Sequence, residues 1–205
     1  MFGVPAWFLP SLRVKVKQNG RRVTSPMLTL ILGGARSGKS RFAQSLCGDA
    51  RRVVFVATAR LDDDEMRARA EHHQHERPER WHTIEEPLAI ARVVETRGAD
   101  FDVVLLDCFT LWLSNLCWEH RNQAESVLRT AASEEVARLI AAASLSNVVI
   151  VSNEVGCGLV PEFPLGRIFR DLHGWLNQDL ACAANYVYQV IAGIAIPIKR
   201  PEAKL

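Results

Sequence analysis

Leu28-Thr29-Leu30-Ile31-Leu32-Gly33-Gly34-Ala35-Arg36-Ser37-Gly38-Lys39-Ser40 is the stretch from which the rest of the chain can be read. Its first five residues are leucine or β-branched, the pattern of a strand covered on both faces. The run stops at two glycines, and residues 41–46 continue without Pro or Gly, as a helix, until Gly48. Gly33-x-x-x-x-Gly38-Lys39-Ser40, with a strand before it and a helix after it, is the spacing of a phosphate-binding loop. Glycines let backbone N–H groups close around phosphate oxygens, and the helix that follows presents its positive N-terminal dipole. The whole cradle, Gly33, Gly34, Ala35, Arg36, Ser37, Gly38, Lys39 and Ser40, is therefore assigned to nucleotide binding. Lys39 bridges phosphates, and Ser40 is a Mg²⁺ ligand.

Outward from the loop, further apolar runs recur with helical stretches between them. Val53–Ala57 reads as a second strand ending at Thr58, residues 101–106 as a third ending at Asp107, and residues 147–151 as a fourth closed by Ser152-Asn153-Glu154. Tyr186–Ile191 and residues 194–198 complete the set. Asp62 and Glu65 have capping-box spacing, which predicts a helix from about residue 63 to those before Pro78. Residues 133–143 read as another helix. Leu165, Ile168, Phe169, Leu172, Trp175, Leu176 and Leu180 recur at helical spacing and predict a long amphipathic one. Strands alternating with helices behind such a loop imply an α/β fold of the P-loop NTPase (RecA-like) kind, with a mostly parallel sheet and helices on both faces.

The 205 residues, 48% hydrophobic, suit one well-buried domain. Residues 1–26 mix prolines with Arg13, Lys15, Lys17, Arg21 and Arg22, carry no acid and show no period, so they are expected to lie outside the fold. Residues 27–205 then form the single domain. The formal charge of +2 comes from that extension, and the remainder has 20 basic against 23 acidic residues. A slightly acidic body argues against a nucleic-acid or membrane surface. Five scattered cysteines without a C-x-x-C pair fit reduced thiols, and no apolar run has transmembrane length, so a cytoplasmic location is expected. Trp112 and Trp118 are expected in the core.

Three further places carry chemistry. Asp107 ends an apolar strand, where a P-loop protein keeps its Mg²⁺-side acid. Residues 72–78 (His-His-Gln-His-Glu-Arg-Pro) place three imidazoles within about one helical turn. Met66, Ala70 and His73 share one helical face, while Glu65, Arg69, His72 and Glu76 share a polar one. His73 therefore faces inward or toward a site, and His72 toward solvent. A nucleophile or phosphate ligand, a solvated helix end, and a metal site from His72 and His75 all remain open readings. Ser152-Asn153-Glu154-Val155-Gly156 lies where open parallel sheets collect ligands, and it reads equally as a capped polar loop.

Taken together, the phosphate loop, Ala57-Thr58-Ala59, Asp63-Asp-Glu-Met66, the His-His pair before Arg77-Pro78, Trp81, Glu85-Glu-Pro87, the segment from Asp107 to Asn115, and Ser152 to Gly156 form an ordered set. With Phe169-Arg-Asp-Leu172, Gly174 and Asn177-Gln178 it resembles the bifunctional adenosylcobinamide kinase / adenosylcobinamide-phosphate guanylyltransferase family of cobalamin biosynthesis. The resemblance implies phosphorylation of the aminopropanol hydroxyl of adenosylcobinamide by ATP or GTP. It then implies transfer of GMP from GTP to that phosphate through a guanylylated histidine, which maps to His73. It places Thr58, Ala59, Arg60, Gln74, His75, Glu76, Arg77, Glu85 and Asp107 around the guanine nucleotide, with Mg²⁺ on Ser40 and Asp107. It also implies a homo-oligomer, a trimer. Arg60, Phe109 and Cys157 depart from the family pattern without removing a catalytic group. Nothing in that pattern precedes Met27, which makes Met27 the expected natural start. Two competing readings are a P-loop small-molecule kinase without the guanylyl step and a GTP-sensing binding module.

Overall fold

In the computed structural model, the described residues are 26–48, 50, 52–60 and 78–201. The phosphate-loop strand β1 (Leu28–Gly33) has every residue buried, as a strand with helices on either side requires. It feeds α1 (Lys39–Cys47). Then come β2 (Val53–Ala57), β3 (His82–Glu85), α2 (Ile90–Arg97), β4 (Val103–Asp107), α3 (Phe109–Glu119), α4 (Glu125–Ala143), β5 (Val148–Val151), α5 (Pro164–Ala183), β6 (Tyr186–Ile191) and β7 (Ile194–Lys199).

The sheet order is β3-β2-β4-β5-β1-β6-β7. All neighbours are parallel except the final β6–β7 hairpin. Alternation along each strand sends residues to two separate cores. Leu30, Val54, Val104 and Ile150 pack with α2, α3, α4 and α5. Ile31, Phe55, Leu105 and Val149 pack with Ala43 and Cys47 of α1 and with Trp81. Helices thus cover both faces, as the alternating pattern predicts.

Several elements differ from expectation. The short β3 is absent from the sequence reading because His82, Thr83 and Glu85 are exposed and give no apolar run. The third predicted strand starts at Val103; Phe101 and Asp102 lie outside it, and Asp102 exchanges backbone and side-chain hydrogen bonds with the backbone of Arg52. The helix predicted over 133–143 is the second half of α4, which starts at Glu125. Trp112 is fully buried as expected, but Trp118 is 58% exposed. The helix predicted from residue 63 toward Pro78, with His73, Gln74, His75, Glu76 and Arg77, lies outside the described residues.

Candidate active site

Register brings the functional strand ends level. Glu85 pairs with Ala57, Ala57 with Asp107, Asp107 with Val151 and Val151 with Ile31. The sequence-predicted residues of five strands therefore line one carboxyl edge of the sheet, the edge at which open α/β sheets bind ligands. Four interstrand steps separate β1 from β3, roughly 19 Å. A single phosphate cannot reach both ends of this row.

At the β1 end the loop holds its shape through backbone contacts. Ser37 N–H donates to Gly34 O at 3.3 Å, and Gly193 N–H, in the β6–β7 turn, donates to Ser37 O at 2.8 Å. A Cβ on Gly33 would sit 2.4 Å from Val190 O, and Gly38, at φ 97°, lies against Gly193. Two glycines of the motif are thus required by close approach and by a left-handed backbone. Gly34, Ala35 and Arg36 are exposed at the loop's crest, while Ser40 is half-buried in the first turn of α1.

Lys39 is 7% exposed and donates from Nζ to Gly34 O at 2.7 Å. Burial pulls its pKa below the ordinary lysine value, and the nearby Asp107 carboxylate works the other way. Asp107 therefore lies close enough to the loop to act on its lysine. Ser37 Oγ is buried with no hydrogen-bond partner. A buried hydroxyl without a partner is costly, and a phosphate oxygen in the cradle would satisfy it. Ser40, in the first turn of α1, and Asp107, at the end of β4, offer hard oxygen donors, a donor type suited to Mg²⁺ held partly by phosphate and water. Among the described residues there is no cluster of three or more His, Cys, Asp or Glu.

The next positions along the row are fixed by side chains. Thr58 is fully buried; its hydroxyl donates to Cys108 O at 2.7 Å and accepts from Cys108 N–H at 3.0 Å, which ties the ends of β2 and β4. Asn115 of α3 donates to both Thr58 O and Pro87 O. Ala59 follows this anchored turn. Arg60 pairs with Glu119 at 2.5 Å and borders a groove of about 530 Å³ lined also by Leu111, Trp118, Phe163 and Phe169. Glu86 accepts the N–H groups of Leu88 and Ala89 at the start of α2, whereas the Glu85 side chain stays exposed at the end of β3. The two adjacent glutamates thus separate into a helix cap and an available carboxylate.

Beyond β5 stands a group that sequence reasoning did not assemble. Ser152, His173 and Asn177 are buried and, with Thr110 and Asn153, share a hydrogen-bond network. Burial pushes His173 down to about 4, so the ring is neutral at physiological pH. The available signal was that His173 and Asn177, four residues apart, interrupt the leucine stripe of α5 at Leu172, Leu176 and Leu180. Polar residues at buried helical positions need partners. The neighbouring Glu154 carboxyl is raised by burial. Of the five cysteines, Cys47 and Cys117 are buried, Cys108 is intermediate, and Cys157 and Cys182 are exposed.

Known proteins bear on this arrangement. A family model described as cobinamide kinase / cobinamide phosphate guanyltransferase matches residues 29–198. The bifunctional adenosylcobalamin biosynthesis protein CobU of Escherichia coli K12 is 42% identical over 181 residues, covering 84% of this chain and all of that protein. The protein of the same name from Salmonella typhimurium LT2 is 42% identical with the same coverage. The bifunctional adenosylcobalamin biosynthesis protein CobP of Pseudomonas aeruginosa is 40% identical over 174 residues, covering 84% of this chain and 98% of that protein. Among solved structures, the flagellar accessory protein FlaH from Methanocaldococcus jannaschii superposes with a TM-score of 0.51 at 16% identity, over 89% of this chain and 82% of that one. A type III secretion system ATPase superposes with a TM-score of 0.50 at 9% identity, over 80% of this chain and 52% of that one. At these identities the likeness establishes the fold alone, that of a P-loop NTPase.

Proposed function

The chain belongs to the cobinamide kinase / cobinamide phosphate guanyltransferase family, and we propose that it performs both reactions from the row of residues along the carboxyl edge of its sheet. It is a bifunctional transferase of adenosylcobalamin biosynthesis. The observation that carries the reading is the complete phosphate cradle, with Lys39 buried in it and Asp107 beside it.

In the kinase step the hydroxyl of the aminopropanol arm of adenosylcobinamide attacks the γ-phosphorus of ATP or GTP, and the nucleoside diphosphate leaves. Gly33 to Ser37 orient the phosphates through backbone N–H groups, while Lys39 and Arg36 balance charge that develops in transfer. In the second step an unprotonated nitrogen of His73 attacks the α-phosphorus of GTP and pyrophosphate leaves. An oxygen of the cobinamide phosphate then attacks the same phosphorus, the P–N bond breaks, and adenosylcobinamide-GDP forms. Thr58 anchors the turn that presents Ala59 and Arg60. Glu85, exposed at the far end of the row, suits the guanine N1–H and N2–H₂ edge, and Gln74, His75, Glu76 and Arg77 flank His73 in sequence. Ser40 and Asp107 would hold Mg²⁺, which when bound supplies charge neutralisation on the phosphates.

Residues 27–205 act as one catalytic domain, consistent with the span of the family match. Exposed apolar side chains, Trp118 and Phe163 at the groove and Ile194, Ile196 and Ile198 on the edge strand β7, support a homo-oligomer, a trimer by family resemblance. Light scattering on the purified chain gives the mass that decides it. Nucleoside triphosphate substrates fit a cytoplasmic enzyme, and among the described residues no helix is long and apolar enough to cross a membrane.

The deciding experiment incubates the protein with Mg²⁺ and GTP labelled at the α-phosphate, denatures it, and looks for acid-labile, base-stable label. Label present in the wild type and in His72→Ala but absent from His73→Ala is the expected result. No label in a wild type that binds GTP would remove the guanylyl-histidine and leave a simple kinase or a GTP-sensing module.

A further inference from the structure

The network behind β5 converges on one residue, Asn153. Its backbone N–H donates to Thr110 Oγ1 at 3.0 Å, its side-chain Nδ2 lies 3.0 Å from the same oxygen, and its carbonyl accepts from Asn177 Nδ2 at 3.2 Å. His173 Nε2 is 3.1 Å from Thr110 Oγ1 and 3.2 Å from Ser152 Oγ, and Nδ1 is 3.3 Å from Asn177 Nδ2. Ser152 donates to Asn177 Oδ1 at 2.8 Å.

Donor and acceptor chemistry decides where the protons lie. The carbonyl of Asn153 can only accept, so it fixes the Asn177 amide with nitrogen toward it. That nitrogen's second proton faces His173 Nδ1, which is therefore the acceptor, and the ring proton sits on Nε2. Thr110 Oγ1 then already faces two N–H groups, those of Asn153 and His173. With Asn153 Nδ2 also toward this oxygen, two lone pairs face three N–H groups, of which only that of His173 can turn to Ser152 Oγ instead, and the Thr110 proton has no hydrogen-bond acceptor among the described residues. Rotating the Asn153 amide by half a turn removes the conflict: Oδ1 accepts the Thr110 proton, and the NH₂ takes the opposite, outward position. Among the described residues that outward end has no hydrogen-bond partner.

We propose that the outward amide of Asn153 donates to the phosphates of the nucleotide held by Gly33–Ser40, with Thr110, Ser152, His173 and Asn177 as its positioning residues. The inference rests on the P-loop reading of the site. Its support is location: the N–H groups of Ser152 and Glu154 donate to Ile31 O and Gly33 O, so Asn153 stands between two ties to the strand that enters the cradle. A fixed neutral donor beside a partly buried phosphate stabilises anionic oxygen without having to reorganise. The neutral ring of His173 belongs to the device, because a proton on Nδ1 would confront the Asn177 donor.

The test uses the full chain with Mg²⁺ and measures affinity for GTP, GDP and guanosine by calorimetry, with thermal unfolding alongside. Asn153→Asp keeps the shape and the acceptor for Thr110 but replaces the donor with a carboxylate oxygen. A graded loss is expected: at least tenfold for GTP, less for GDP and none for guanosine, with little change in Tm. Thr110→Val should reproduce part of the GTP loss, and Thr110→Ser should restore it. Affinities all within twofold of wild type, or all weakened equally, would overturn the proposal. Should the Asp variant fail to fold, Asn153→Ala decides by the same gradient. If Lys39→Ala binds GTP as the wild type does, the P-loop reading itself has failed and the proposal falls with it, an outcome distinct from a missing gradient at Asn153.

Discussion

The carboxyl ends of β1 and β5 lie side by side on the same edge, yet one is shaped by backbone and the other by side chains. At β1 the loop is held by Ser37 N–H on Gly34 O and by the β6–β7 turn on Ser37 O. Lys39 adds a side-chain bond to Gly34 O. At β5 the turn is held by hydroxyl, amide and imidazole groups from α3 and α5, residues separated by up to 67 positions in the chain, from Thr110 to Asn177. A backbone-built site must be written contiguously, because each N–H needs its neighbour's conformation and glycine where a Cβ would collide. A side-chain-built site can be scattered, because the fold brings its parts together.

The comparison is broken most severely at Lys39, where a side chain does what the loop's backbone cannot. Lys39→Ala should lower phosphoryl transfer about 10³-fold, the scale for removing a charged or oxyanion-type donor, and steady-state kinase assays with cobinamide would show it. Activity within tenfold of wild type would mean that the backbone cradle suffices.

The β5 end responds to acid instead. His173 is neutral and buried with its pKa pushed down to about 4, whereas in the unfolded chain it titrates near 6.5. Between those values the unfolded state binds a proton that the folded state refuses. Its contribution is therefore intact above pH 6.5 and is lost as pH falls toward about 4, at about 1.4 kcal/mol per unit and about 3 kcal/mol in all. Urea unfolding at pH 7, 6 and 5 should show this slope in the wild type and a flatter one in His173→Gln; parallel slopes would exclude His173 as the source.

The smallest effect on this scale is steric. Gly33→Ala places a Cβ 2.4 Å from Val190 O, so the loop and β6 must separate. A loss of about 2 kcal/mol is expected, with GTP affinity falling as well, and unfolding midpoints with calorimetry would measure both. A variant as stable as wild type would show that the cradle has slack.

The same contrast explains what could be read before the fold was known. The phosphate loop, its strand, Asp107 at a strand end and the long helix α5 were all legible, because each is a local pattern of period, glycine or terminal carboxylate. β3 was not: a four-residue edge strand with His82, Thr83 and Glu85 exposed forms because β2 offers it a partner. Trp112 and Trp118 share one helix and one residue type, and only packing separates the buried one from the exposed one. Thr58 was placed by resemblance at the nucleotide, and the structure adds that its hydroxyl joins β2 to β4.

By itself the sequence determined that this chain would make a phosphate cradle at the end of a buried parallel strand, since glycine spacing and apolar runs act through neighbouring residues. Which of Glu85 and Glu86 stays available, how the row of strand ends is ordered, and that Thr110, Ser152, His173 and Asn177 meet around Asn153 were decided only by the tertiary structure. Sheet order and helix packing set those distances, and no short stretch of chain contains them.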